Sequence, residues 1–287
     1  MTAAALKTPA DLTITPRDRR FGRNAKQDRC WLGGDPIATA FYNALSITFP
    51  RGEAFFIESV KAFRDAAPEK LAREIRAFVQ QEIMHTREHV AFNKRVAEAG
   101  YDISGLEKKV VESLELTKNR PQVLNLAVTM ALEHYTAIMA MQMITDKKLW
   151  RGADAEQVAL WKWHAMEEIE HKGVAYDTWL HATKDWTRWK RWKVKGIMML
   201  LVSKNFWINR YKGVIELLKQ DGITGARAHL GLLWFLFGGP GAIRKLMLPW
   251  ATFFLPGFHP WNHDDRNLIN MVESEYEAAR MPEALAA

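Results

Sequence analysis

Gln81-Glu82-Ile83-Met84-His85 and Met166-Glu167-Glu168-Ile169-Glu170-His171 repeat one short pattern, Glu-x-x-His, as Glu82/His85 and Glu168/His171. Each copy lies in a stretch that reads as helix, where residues three apart stand one turn apart on a common face. The stretch around the first copy, 69–99, holds no Gly or Pro. As a helix it runs about 46 Å, and Gly100 ends it. The stretch around the second copy, 153–181, lacks Pro and has one interior glycine, Gly173. One such pair is common on a solvated helix, but two pairs on two long helices point to a shared task.

Working outward, each helix has a neighbour. Asp35 caps a helix that Pro36 opens, with Ile37, Ala40, Phe41 and Leu45 at helical spacing. Phe49-Pro50-Arg51-Gly52 predicts a break, after which 53–64 resumes the helix. Pro121 opens an apolar helix to about Lys148, and Gly152 separates it from the next. Residues 101–120 form a connector with one short helix. Short turns thus join helices into two pairs, and the long connector joins the pairs. The expected fold is all-α: a ferritin-like four-helix bundle with one long crossover. It divides the chain into a basic irregular arm (1–34, with Arg17, Arg19, Arg20, Arg23 and Lys26), the bundle (35–182) and a helical, apolar and aromatic extension (183–287).

In bundles of this type, each helix bearing Glu-x-x-His is paired with one that donates a further Glu. The third long helix offers Glu133, an acid in an apolar segment whose burial calls for a nearby cation. The first offers Glu53 and Glu58. Antiparallel neighbours bring ligands together at equal depth from their shared turn; Glu82 lies about fifteen residues from the turn near Ala67, and the same count backwards reaches Glu53, with Glu58 roughly 7 Å off that level. The expected ligands of two metal ions are Glu53, Glu82, His85, Glu133, Glu168 and His171. His89 and His164 lie one turn from these positions, as further ligands or as hydrogen-bond partners behind them. His134 points away from Glu133, and Glu74, Glu88 and Glu170 read as solvated charges.

The sequence resembles a bacterial family named, by prediction, metal-dependent hydrolases and assigned to the ferritin-like group. The likeness covers roughly residues 30–270 and rests on four segments: 49–56, 81–85, 131–135 and Trp163-His164-Ala165-Met166-Glu167-Glu168-Ile169-Glu170-His171-Lys172. The name implies hydrolysis by metal-activated water. His164-x-x-x-Glu168-x-x-His171 is also similar to the three-histidine variant in arylamine N-oxygenases of the larger group. A carboxylate-rich two-metal site serves oxidation by O₂ when the metals are iron, and hydrolysis when they are redox-inert; iron is the expected metal, with manganese or zinc as alternatives. The expected activity is O₂-dependent oxidation of a hydrophobic or lipid-like small molecule at two irons. Metal-dependent hydrolysis is the alternative and a non-catalytic metal-binding bundle the second. No Ser, His and Asp arrangement is recognisable, so hydrolysis here would be metal-driven. The electron donor is not legible.

The remaining features bound the partners. The chain has 287 residues, 48% of them hydrophobic and 25% charged, which excludes disorder throughout and leaves a packed protein. Cys30 is the only cysteine, so a disulfide framework and a Cys-rich zinc site are excluded; with no signal-like start, this points to the cytoplasm. The formal charge of +7 favours anionic partners. Trp186, Trp189 and Trp192 alternate with six cations over 184–195, which suggests peripheral membrane contact through 184–207, at the inner membrane face; no nucleic-acid module accompanies them. The uncharged runs 228–243 and 246–258 are too short and too rich in Gly or Pro to span a bilayer.

Overall fold

The computed structural model describes residues 8–22 and 26–284, with side chains through residue 279. Arg23 of the predicted basic arm lies outside the described residues. The chain is all-α, with no strand among the described residues. Four elements make the central layers: α1 (Pro36–Lys61), α2 (Glu69–Glu98), α4 (Gln122–Thr145) and α5 (Ala155–His171), the last continued by α6 (Val174–Ala182). α3 (Ser104–Glu115) sits in the connector between the pairs. α1 packs along α2, and α4 along α5 and α6, while α1 also meets α4 and α2 meets α5. The core between them holds Phe78, Phe92, Leu126, Met130, Leu160, Trp161, Trp163 and Trp179, all fully buried. Burial of each such side chain contributes about 1.5–3 kcal/mol.

The helix ends follow from local chemistry. Asp35 caps α1 by accepting from the backbone N–H groups of Ile37 and Ala38, and Asp154 caps α5 through Gln157. Gly100, with φ of 96°, ends α2 in a conformation that disfavours any residue with a Cβ.

Two sequence expectations are corrected. The predicted break at residues 49–52 is absent, because α1 runs unbroken through Pro50. Proline at 50 cannot donate to the carbonyl of Ser46, four residues back. That carbonyl is instead taken by the side-chain amide of Asn93 on α2, at 3.2 Å. A neighbouring helix thus satisfies the acceptor that proline strands. Asn93→Leu is expected to destabilise the protein by about 1–3 kcal/mol, and by less in a Pro50→Ala background, where the backbone bond can re-form. Urea denaturation of the single and double variants measures the difference.

The second correction is in the fourth long helix. It is interrupted at Lys172-Gly173 rather than continuous to His181. A Cβ at Gly173 would lie 2.8 Å from the Thr8 hydroxyl and 2.9 Å from Trp261, so this close approach requires glycine.

The extension wraps the bundle. α7 (Arg188–Gln220) packs on α1 and α4. α8 (Gly225–Phe237) lies against α1 and α7, α9 (Met247–Thr252) against α4, and α10 (Arg266–Ala284) against α5. Trp186 is half-buried and edge-on to Trp179, whereas Trp189 stacks on Trp192 and is 67% exposed. α4 is long and apolar enough to cross a membrane, and two thirds of its most apolar window is buried inside the protein.

Candidate metal centre

The helices converge on a cluster of acids and imidazoles buried at mid-bundle. One donor atom from each of Glu53, Glu82 and His85 lies within 4.8 Å of the others, and the same holds for Glu82, Glu168 and His171. Glu133 joins the second group, with its Oε2 3.5 Å from His171 Nε2. All six residues are buried. Glu58, the rejected partner on α1, is at the surface beside Lys61.

Hydrogen bonds behind the histidines fix which nitrogen faces inward. The Gln81 amide donates to Glu170 Oε2 at 2.7 Å and to the Thr15 carbonyl at 3.3 Å, so its oxygen is the end turned toward His171. At 2.9 Å that oxygen accepts from His171 Nδ1–H. His171 Nε2 therefore presents a lone pair, and around it lie Glu82 Oε1 at 3.3 Å, Glu133 Oε2 at 3.5 Å and Glu168 Oε2 at 3.5 Å. Four acceptors facing one another need a cation, or protons taken up in its place, between them. On the other side, His85 Nε2 meets Glu167 Oε2 at 3.1 Å and leaves Nδ1 turned inward.

Eight inward atoms have no hydrogen-bond partner among the described residues: Glu53 Oε1, both oxygens of Glu82, His85 Nδ1, both oxygens of Glu133, Glu168 Oε2 and His171 Nε2. Buried polar atoms are otherwise almost always paired. Their convergence is what a metal site built from hard oxygen donors and imidazole requires. Charge agrees with geometry. Burial, reinforced by neighbouring acids, pushes the carboxyls of Glu82 and Glu133 well above the usual range; burial and Glu168 do the same for Glu53, although Thr86 donates to it at 2.7 Å. Glu168 is buried too, but His171 and His164 hold its carboxyl well below that range. Burial, with help from His164, keeps His85 neutral.

His89 and His164 form a chain beside this centre. Ser46 donates its hydroxyl to Asn93 Oδ1 at 2.6 Å, leaving its oxygen to accept from His89 Nδ1–H at 2.8 Å. His89 Nε2 then accepts from His164 Nδ1–H at 2.6 Å, and His164 Nε2 faces Glu168 Oε1 at 2.8 Å. The His164 ring stacks on His85 with centroids 4.1 Å apart. His89 has both nitrogens engaged and holds His164, whose Nε2 is turned to the centre. His134 takes no part: it meets the Pro249 carbonyl and packs between Phe253 and Phe258.

Glu88 and Glu170 are corrected from solvated charges to buried groups, while Glu74 is half-buried. Glu170 is covered by the arm, accepting from the Thr15 backbone N–H and from the Arg17 guanidinium at 3.0 and 3.1 Å. Glu88 accepts from the Phe21 backbone N–H and from Arg87. Sequence reasoning assigned no role to Glu167, Gln81 or Arg17. Arg17 donates its backbone N–H to Glu167 Oε1 at 3.0 Å, so the arm reaches the partners of both inward histidines. The available signal was the density of acids in 167–170, in a helix that carries Trp161, Trp163, Ala165, Met166 and Ile169 as well.

An all-α protein with a buried cluster of four carboxylates and two imidazoles belongs among helical metalloproteins. The chain is a member of the family described as predicted metal-dependent hydrolase, which matches residues 15–264. No curated protein and no solved structure matches it.

Proposed function

We propose that the chain is a two-metal hydrolase that cleaves an ester or amide of a hydrophobic small molecule. The observation that carries the metal reading is His171 Nε2, a lone pair ringed by three carboxylate oxygens. Membership of the family supports hydrolysis over other uses of such a centre. Glu53, Glu82 and His85 would hold one divalent cation and Glu133, Glu168 and His171 the other. When bound, the pair supplies Lewis acidity that activates water and polarises a carbonyl. His164 Nε2 would accept the proton that the activated water releases, and the fixed chain through His89 to Ser46 keeps that nitrogen aimed inward.

A cavity of about 10 Å³ adjoins Glu168 and His164, walled by Phe49, Met139, Met143 and Trp161. Space on that scale holds about one water, so an apolar substrate enters by displacing the flexible Met139 and Met143 side chains.

Oxidation by O₂ is the second reading, favoured by the four-carboxylate, two-imidazole donor set, which also suits iron. The two separate in one experiment. Protein purified without O₂ is analysed for metals, then loaded with zinc, manganese or iron(II) and offered p-nitrophenyl esters with and without O₂. The expected result is ester cleavage that ignores O₂, needs bound metal and falls to background in Glu82→Ala and Glu168→Ala. O₂ uptake with a change in the visible spectrum of the iron form, and no cleavage, would favour oxidation. Failure to bind any metal overturns both.

A further inference from the structure

Between α7 and α8, against Phe41 of α1, lies a cleft of about 290 Å³. It shares no lining residue with the cavity beside the metal centre. Its walls are Trp207, Leu232, Leu236 and Ile243, and half-exposed Leu233 and Phe237 stand at its open side.

Arg210 also lines this cleft and is only 4% exposed. Its guanidinium donates to Thr48 Oγ1 at 3.2 Å and lies 5.2 Å from the Phe206 ring, while its Nε has no partner. No carboxylate among the described residues is within ion-pair distance of it. A buried cation without a counter-charge is strongly unfavourable. Residues 186–215 and 222–263 contain no Asp or Glu, and neither Glu216 of α7 nor Glu53 or Glu58 of α1 forms an ion pair with Arg210. The counter-charge must come from a ligand, and the other walls say what else that ligand carries. A guanidinium matches a carboxylate with paired, charge-assisted hydrogen bonds. The surrounding leucines, isoleucine and tryptophan match a hydrocarbon chain.

We propose that this cleft binds a fatty acid, with its carboxylate on Arg210 and its chain along Trp207, Leu232 and Leu236. The site is distinct from the metal centre, and its ligand is recognised whether or not metal is bound. Arg210 is the one buried charged group of the lining, Lys212 being exposed, and a single buried donor group with an apolar wall favours a small anion over a phosphate diester, which presents a larger polar head.

The test is calorimetric titration of the full chain, as purified, with dodecanoate below its micelle concentration. One dodecanoate per chain is expected, and dodecanol, which has the chain but not the charge, should bind at least tenfold more weakly, or about 1.4 kcal/mol. Arg210→Met should lower dodecanoate affinity at least tenfold and leave dodecanol unchanged. Leu233→Trp, at a half-exposed position, should block both ligands without altering the melting temperature, and it keeps the test decisive if the Arg210 variant does not fold. Absence of binding, equal binding of acid and alcohol, or full dodecanoate affinity in Leu233→Trp overturns the proposal. Arg210-dependent capture on phosphatidylglycerol vesicles without binding of monomeric dodecanoate also overturns it, in favour of a lipid headgroup.

Discussion

Glu82→Gln is expected to abolish metal binding and, at the same time, to raise the stability of the metal-free protein. Both outcomes come from one position. Glu82 is fully buried, neither of its oxygens has a hydrogen-bond partner, and it lies among Glu53, Glu133, Glu167 and Glu168. Without a cation, each added negative charge there is costly. A neutral amide of the same shape removes the cost of burying that charge or of taking up a proton to cancel it, a gain of about 1–4 kcal/mol by analogy with other buried charges replaced by neutral groups. That corresponds to several degrees in melting temperature for a chain of this size. With metal the order reverses. A cation at 100 times its dissociation constant stabilises the wild type by about 2.7 kcal/mol, and the variant, lacking a charged ligand that reaches both histidine groups, gains nothing. Melting curves with chelator and with excess manganese or zinc should therefore rank the two proteins in opposite orders. A Glu82→Gln protein less stable than wild type under chelation would mean that the carboxylate has a structural partner and that the cluster is no metal site.

The same logic fixes a pH dependence. Glu53, Glu82 and Glu133 have carboxyls held well above the usual value, chiefly by burial, so the folded metal-free protein binds protons that the unfolded chain has released. Their contribution to stability is complete below about pH 4.5 and is lost as pH rises through the folded values. His85 and His89, both held low by burial, act oppositely, but only below about pH 6.5, where the unfolded imidazole begins to charge. Above that pH the raised carboxyls, Glu167 among them, dominate until Lys195, held down to about 8 by burial, begins to act oppositely, so the metal-free protein should lose stability as pH rises from about 6.5 toward 8. Bound metal replaces those protons, so the loaded protein should show a much flatter profile.

Much of this centre was legible because helical spacing is rigid. Two Glu-x-x-His pairs and a depth count from each turn sufficed to bring Glu53, rather than Glu58, to the cluster. The errors came where one element acts on another. Pro50 reads as a break in any isolated sequence, and only Asn93 of a neighbouring helix makes it tolerable. Glu88 and Glu170 read as solvated because charge on a helix usually is, and their burial depends on the arm's backbone amides and Arg17 together with Arg87 and Gln81. An irregular arm has no periodicity from which its docking site can be read. The unpaired state of Arg210 was likewise invisible until α7 was laid against α1, although the absence of acid over 186–215 was already in the sequence.

The arm supports the last prediction. Arg17 lies 3.5 Å from Glu167 and 3.0 Å from Glu170, and these two acids reach His85 directly and His171 through Gln81. With metal on Nδ1, His85 must donate from Nε2, so Glu167 must accept as a carboxylate. Burial opposes this, pushing Glu167 up to about 8 even with Arg17 beside it. Removing Arg17 therefore favours the protonated acid, which would donate to His85 Nε2 and move the imidazole proton to the atom that metal needs. Arg17→Ala should weaken zinc or manganese binding about 10–100-fold, the range seen when groups behind metal ligands are removed. Arg17→Lys should recover only part of it, because one ammonium cannot match the fork that spans both acids. The loss should also shrink at pH well above 8, once Glu167, raised further by the absence of Arg17, ionises. A purely structural arm would instead lower the melting temperature and leave the metal dissociation constant, and its pH dependence, as in the wild type.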